Sequence, residues 1–264
     1  MPVTTTTDDV DIHYDISGSG PPVVLLHGIT DSSADWAPID QRLAADHTVV
    51  TLDLRGHGRS GDAEDYSPLA MVNDLAAVVA ATGVESPLLV GHSLGAVVAV
   101  AYASAAPVSG VVGIDQTLRF SDFAAMVRQL EHQLRGDGFH AAMRVIFGHL
   151  DGPLMPDPLR FRLATNRDEA RQDVVLGVWD LTFAASDDEL DGMVAAMAPA
   201  ITMPVLALHG NELPDDYVAW LQGLVPTAEV EVWADHGHYP HLVDPERFLA
   251  RFADFEAECA AASE

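Results

Sequence analysis

The sequence predicts an α/β fold in which short buried strands alternate with helices and one all-helical block is inserted. Three observations predict it. Strand-length apolar or β-branched runs recur at Val23 to Leu26, Thr48 to Leu52, Pro87 to Val90, Gly110 to Ile114 and Met203 to Leu208. The most uninterrupted of them read as strands covered on both faces. Gly91-His92-Ser93-Leu94-Gly95 joins one such run to a small-residue helix, Ala96 to Ala106. Residues 116 to 200 carry helical patterns and no strand pattern.

In order along the chain, Val10, Ile12, Tyr14 and Ile16 alternate on one face of a half-buried strand that ends at Ser17-Gly18-Ser19-Gly20. Val3 to Thr7 can pair with it as an antiparallel hairpin. The run Val23 to Leu26 stops at His27-Gly28-Ile29-Thr30, and Trp36 to Ala45 reads as a helix. The strand Thr48 to Leu52 runs into Asp53 to Ser60, where Arg55 and His57 are expected to brace loops. Pro68 to Thr82 reads as a helix with proline in its first turn. Within the insertion, helices are expected at Phe120 to Arg135, Phe139 to Leu150, Leu159 to Ala170, Val174 to Ala185 and Asp187 to Met197. The last part carries a helix at Tyr217 to Leu224, a strand at Glu229 to Trp233 and a helix at Arg247 to Ala257. Between these lies Asp235-His236-Gly237-His238-Tyr239-Pro240-His241.

Composition narrows the partners. A chain of 264 residues with 48% hydrophobic content can bury a full core as one domain with an insertion. Its formal net charge of -27 opposes nucleic acid and anionic membranes, so a small neutral or apolar ligand fits better. All 13 basic residues are arginine. Residues 116 to 200 hold 8 of them against 13 acids, a net of -5, leaving 5 arginines against 27 acids, a net of -22, elsewhere. The single cysteine, Cys259, permits no internal disulfide and lies near the C-terminus, away from any histidine or acid cluster that would mark a nucleophile. Met1 to Asp9 lacks the charge and apolar run of a signal peptide, and no later stretch reaches transmembrane length, so a soluble cytoplasmic protein is expected.

The Gly91 to Gly95 motif has a physical reading. A sharp strand-to-helix turn lifts the serine hydroxyl above the sheet edge, and glycines make room for the turn. Ser93 then sits at a helix N-terminus, where free N–H groups favour a developing negative charge. The loop at His27-Gly28 can aim a second amide at the same space, which assigns an oxyanion hole to the amides of Ile29 and Leu94. A serine hydroxyl needs a histidine base, and that base needs a carboxylate to fix its tautomer. Three histidines crowd the late loop, His236, His238 and His241. Their spacing does not fit one helix face, and no Cys or carboxylate pattern completes a tetrahedral metal set, so no metal site is expected.

The His27-Gly28 loop, the Asp53 to Ser60 stretch, the Gly91 to Gly95 elbow and the Gly237-His238 pair occur in the order and spacing of the α/β-hydrolase superfamily. They resemble its capped esterase, lactonase and dehalogenase-like branch over residues 10 to 115 and 201 to 256. The resemblance implies an α/β-hydrolase fold: an eight-stranded, mostly parallel sheet flanked by helices, antiparallel at one edge. It divides the chain into a core of residues 1-115 and 201-264 and a helical cap of residues 116-200 that roofs Ser93. It puts the base directly after the glycine, at His238, and leaves His236 and His241 structural. Its commoner pattern has an aspartate three residues after the glycine of the penultimate strand, where this chain has Leu213. Two acids therefore remain open, Asp115 at the end of the strand after the elbow helix and Glu212 one residue before the usual position. Asp115 is the first candidate.

Dehalogenases and epoxide hydrolases of that superfamily carry aspartate where this chain has Ser93, and residues 116 to 200 contain no tyrosine for epoxide opening. The resemblance thus implies a serine hydrolase that cleaves a carboxylic ester or lactone of a small to medium apolar molecule through an acyl-enzyme. It would need no cofactor and work as a monomer or homodimer, with Trp179, Phe147 and Met143 expected to line the pocket. Two other readings share the fold, a ligand-sensing receptor that keeps the triad and a cofactor-free haloperoxidase or lyase.

Overall fold

Eight strands form one sheet in the order β1-β2-β4-β3-β5-β6-β7-β8. They are β1 Val3–Thr5, β2 Asp11–Gly18, β3 Pro22–Leu26, β4 Thr48–Leu52, β5 Leu88–His92, β6 Gly110–Ile114, β7 Val205–His209 and β8 Ala228–Val232. β2 runs antiparallel to β1 and to β4, and every other pairing is parallel. The computed structural model describes residues 2–262.

Side chains alternate across the central strands, and each face meets its own apolar layer. Val24, Leu26, Val50, Leu89 and Val111 join one layer. Val23, Leu25, Val49, Val90 and Val112 join the other. Two-sided burial is why these strands are apolar throughout. β8, at the edge, is different: Glu229 and Glu231 bind Arg251, and their charges blunt pairing with another chain.

The helices are α1 Ile39–Leu43, α2 Pro68–Thr82, α3 Leu94–Ala103, α4 Phe120–Gln129, α5 Glu131–Arg135, α6 Phe139–Leu150, α7 Asp157–Asp168, α8 Gln172–Ala184, α9 Asp187–Met197, α10 Tyr217–Leu224, α11 Pro240–Val243 and α12 Pro245–Ala262. α2 starts where the Ser67 hydroxyl accepts from the Ala70 amide and stops at Gly83, whose φ of 69° suits glycine. One face of α12 buries Phe248, Phe252, Phe255 and Cys259, a helical spacing that lays it over the second layer. α4 to α9 all lie between β6 and β7, with no strand among them. No helix among the described residues is long and apolar enough to cross a membrane.

Several expectations about elements need correction, among them the last helix, which runs over Pro245–Ala262 rather than Arg247 to Ala257. The helix expected from Trp36 to Ala45 is a 3-10 turn, Ser33–Trp36, followed by α1, because Pro38 cannot donate inside a continuous helix. The helix expected from Phe120 to Arg135 breaks at Leu130, since α4 packs on α8 and α9 while α5 packs on α6 and α8. The elbow helix begins at Leu94 rather than Ala96.

Candidate active site

β5 enters the elbow and α3 leaves it, with Ser93 between them at φ 51° and ψ -118°. A Cβ on Gly91 would run into the Gly95 carbonyl, and one on Gly95 into the Leu26 carbonyl, so the turn admits glycine alone at both places. The Ser93 amide donates to the Ile114 carbonyl at 2.9 Å, which ties the turn to the end of β6. Ser93 makes no side-chain cap to α3. Its hydroxyl is therefore not occupied as an ordinary helix cap would be.

The loop after β3 is braced from below. His27 Nε2 accepts from the Leu54 amide at 3.0 Å, so the ring hydrogen is on Nδ1, which donates to the Gly28 carbonyl at 2.7 Å. Gly28 passes so close to the elbow that a Cβ there would stand 2.8 Å from His92 Nδ1 and 2.9 Å from Asp31 Oδ2. Ile29 and Leu94 are both buried in the same apolar cluster. Leu94 opens α3, so its N–H has no partner within the helix.

The ends of β6 and β7 and the loop after β8 bring the base and acid candidates together. His238 Nδ1 donates to Asp115 Oδ2 at 2.7 Å. Asp115 also accepts from the Gly210 amide at 2.8 Å and from Asn211 Nδ2 at 3.2 Å. Burial would push the Asp115 carboxyl up. The hydrogen bond from His238, the nearby charges of His238 and His209, and the Gly210 amide outweigh it and hold the group below its ordinary value. Glu212 is exposed and takes no part in this cluster.

Thr30, Ser93, Asp115 and Asp235, one on each of the four loops that meet here, all have positive φ. Such conformations cost on the order of 1 kcal/mol or more and gather where structure fixes a functional geometry.

Other singled-out residues fall outside the cluster. His57 donates from Nδ1 to the Arg55 carbonyl at 2.9 Å, and burial, with the charge of His27, pushes it down to about 4. Arg55 is buried between Asp74 and Asp8. His236 Nδ1 bonds the Trp233 carbonyl at 3.0 Å, and His241 is buried against Trp36 and His92.

Met143, Phe147 and Trp179 are buried in the apolar cluster that contains Ile29 and Leu94. The Phe147 ring centroid lies 6.4 Å from that of His238, while Trp179 packs edge-on against Phe123 at 5.4 Å.

Two features were not anticipated from the sequence. The end of α6 and the segment after it support the loop that carries His238. The His238 amide donates to the Leu150 carbonyl at 2.7 Å, Asp151 bridges Gly237, and a Cβ on Gly152 would strike the backbone of Asp235 to Gly237. Arg167 adds a bidentate pair with Asp151, at 2.7 and 3.0 Å, under the Phe147 ring. Such contacts between distant loops leave no local pattern.

The family model described as the alpha/beta hydrolase family matches residues 23–251. The chain is 31% identical over 252 residues to a 2-(acetamidomethylene)succinate hydrolase of Mesorhizobium japonicum, covering 90% of this chain and 88% of that one. A solved esterase from Rhodococcus is 26% identical, with a TM-score of 0.74 over 97% of this chain and 98% of its own. A solved N-acyl homoserine lactone degrading enzyme superposes with a TM-score of 0.82 at 23% identity, over 96% of this chain and all of that one. The sheet order, the elbow and the extent of the family match lead to one conclusion: the chain belongs to the alpha/beta hydrolase family.

Proposed function

We propose that this protein is a serine hydrolase that cleaves a carboxylic ester or lactone of a small to medium, mostly apolar molecule. The observation that carries the reading is the 2.7 Å bond between His238 Nδ1 and Asp115, held beside the strained Ser93 elbow. Names of related proteins support ester or related hydrolytic chemistry, since the Rhodococcus structure is an esterase and the Mesorhizobium relative a hydrolase.

With its Nδ1 hydrogen committed to Asp115, neutral His238 presents a lone pair on Nε2. As Ser93 Oγ bonds to the substrate carbonyl carbon, its proton passes to Nε2, and Asp115 stabilises the imidazolium. The amides of Ile29 and Leu94 receive the oxyanion. His238 then gives the proton to the departing alkoxy oxygen, leaving an acyl-enzyme, and water repeats the sequence to release the acid. The Ser93 hydroxyl makes no hydrogen bond to His238 in the resting site; such bonds tighten when substrate binds. Residues 116–200 act as a cap over this site, residues 1–115 and 201–264 as its core, and Met143, Phe147 and Trp179 supply an apolar pocket wall.

The test is turnover across p-nitrophenyl esters of rising chain length and lactones of rising ring size, with labelling by a fluorophosphonate. Label on Ser93 alone, and turnover lost in Ser93→Ala, are expected. Turnover that survives Ser93→Ala would refute the reading.

A further inference from the structure

The residue just before Ser93 is hydrogen-bonded at one ring nitrogen and lies beside a carboxylate at the other. His92 Nε2 lies 2.8 Å from the carbonyl oxygen of His238, and its Nδ1 lies 3.3 Å from Asp31 Oδ2. A carbonyl only accepts, so Nε2 carries hydrogen. A neutral ring would then leave a bare lone pair on Nδ1 within 3.3 Å of a carboxylate oxygen, two acceptors close together at sites only 2% and 4% exposed. Buried unmatched acceptors are costly. One additional proton removes the conflict, whether it makes an imidazolium beside a carboxylate or an imidazole beside a carboxylic acid.

The same contacts close a ring through three loops. Asp31 lies two residues after Ile29, and its amide donates to the Gly28 carbonyl at 3.2 Å. Its second carboxyl oxygen accepts from the Tyr239 hydroxyl at 3.3 Å. His92 belongs to the elbow, and the carbonyl it holds belongs to His238. Titratable and charged groups face the pair from every side: His27 and Asp35 from the first loop, His238, Tyr239 and His241 from the last, and Arg162 of α7 through Asp35.

We propose that Asp31 and His92 hold one proton between them, and that this buried pair is a positioning couple that fixes the oxyanion loop and the base loop relative to Ser93. Its catalytic consequence rests on the serine hydrolase reading; the shared proton does not.

The two claims separate experimentally. In Asp31→Asn the amide Nδ2 donates to His92 Nδ1 and Oδ1 still accepts from Tyr239, so the ring survives with one proton fewer. Asp31→Ala opens it. Misplaced reacting groups cost on the order of 100-fold, so kcat in Asp31→Ala should fall by about that factor with KM little changed. Asp31→Asn should regain most of the loss. The wild type should also lose kcat at alkaline pH as the shared proton leaves, and Asp31→Asn should lack that limb.

Nitrogen NMR of histidine-labelled wild type reads the proton without any variant. At pH 7 the His92 Nδ1 should show a bonded or shared hydrogen, and a plain lone-pair Nδ1 overturns the proposal. Wild-type kcat in Asp31→Ala, or equal losses in Ala and Asn variants with an unchanged pH profile, also overturns it and leaves the Ser93 reading intact. Turnover that survives Ser93→Ala overturns that reading and the positioning role with it, whatever the histidine spectrum shows.

Discussion

Two histidine–aspartate pairs flank the Ser93 elbow, and they differ at one nitrogen. His238 gives Nδ1 to Asp115 at 2.7 Å, and its Nε2 has no hydrogen-bond partner among the described residues. His92 faces Asp31 with Nδ1 at 3.3 Å and spends Nε2 on a backbone carbonyl at 2.8 Å. A carboxylate beside an imidazole is thus not enough for the proposed role of base; the opposite nitrogen must also be left uncommitted. The acids differ as well. Both carboxyls are held below their ordinary value against burial, but by different sets of neighbours: Asp115 by His238, His209 and the Gly210 amide, Asp31 by His92, His27 and His238, while the carboxyl of Asp35 nearby is pushed up by burial and by the charge of Asp31.

The largest expected effect breaks the comparison outright if it fails. Ser93→Ala should lower kcat on the order of 10⁶-fold, as loss of the serine does in a well-studied serine protease. Next, Asp115→Asn presents an amide donor where the base needs an acceptor, which favours the wrong tautomer and should cost about 10⁴-fold in kcat. Asp31→Asn should lie far closer to wild type. Similar kcat values for the two asparagine variants would erase the distinction between the pairs.

Gly152→Ala probes how the base loop is held. Its added methyl group strikes Asp235 to Gly237, and a displaced base should lower kcat on the order of 100-fold with little change in substrate affinity. Steady-state kinetics on the best ester would show it.

His57 supplies a contrast, a buried histidine with no carboxylate hydrogen-bonded to its ring. Its folded value of about 4 lies below the ordinary 6.5, so below pH 6.5 the unfolded chain takes a proton that the folded chain refuses. Stability from this group is complete above 6.5 and is lost as pH falls to about 4, a change on the order of 3 kcal/mol. Urea melts at pH 7, 5.5 and 4 should show the decline, and His57→Asn should flatten it.

The smallest effect belongs to Glu212. Exposed and unpartnered in the cluster, Glu212→Gln should change stability by no more than about 0.5 kcal/mol and leave kcat near wild type. A deep loss of kcat would move the acid from β6 to β7.

The sheet was legible because burial on both faces writes itself into composition, as in Val23 to Leu26. The elbow was legible because its glycines are forced by backbone contacts close in sequence or at the adjoining strand end. Asp115 could be picked out by its place after a strand, and Leu213 narrowed the choice. Asp31 was not legible, since Thr30-Asp31-Ser32-Ser33 has the letters of a solvated turn and nothing local marks its burial against His92. The meeting of Gly152 with Gly237 was still less visible, because two hydrogens in place of side chains carry no hydrophobic or charge signal. Among Met143, Phe147 and Trp179, nothing local singled out Phe147 as a ring close to His238; only the fold does that.

The hydrogen bond from the His238 amide to Leu150, with the Leu154 amide donating to Asp235 at 3.2 Å, has a consequence for recombination. A chimera that exchanges the whole stretch between β6 and β7 for another family member's removes the seat of its own histidine along with the proposed cap. Crossovers that retain residues 150–155 keep the seat and exchange only the rest of the stretch. On the proposed reading of residues 116–200 as a cap, α4, α5, α8 and α9 are the elements to exchange, and the turn after α6 is the one to keep with the sheet.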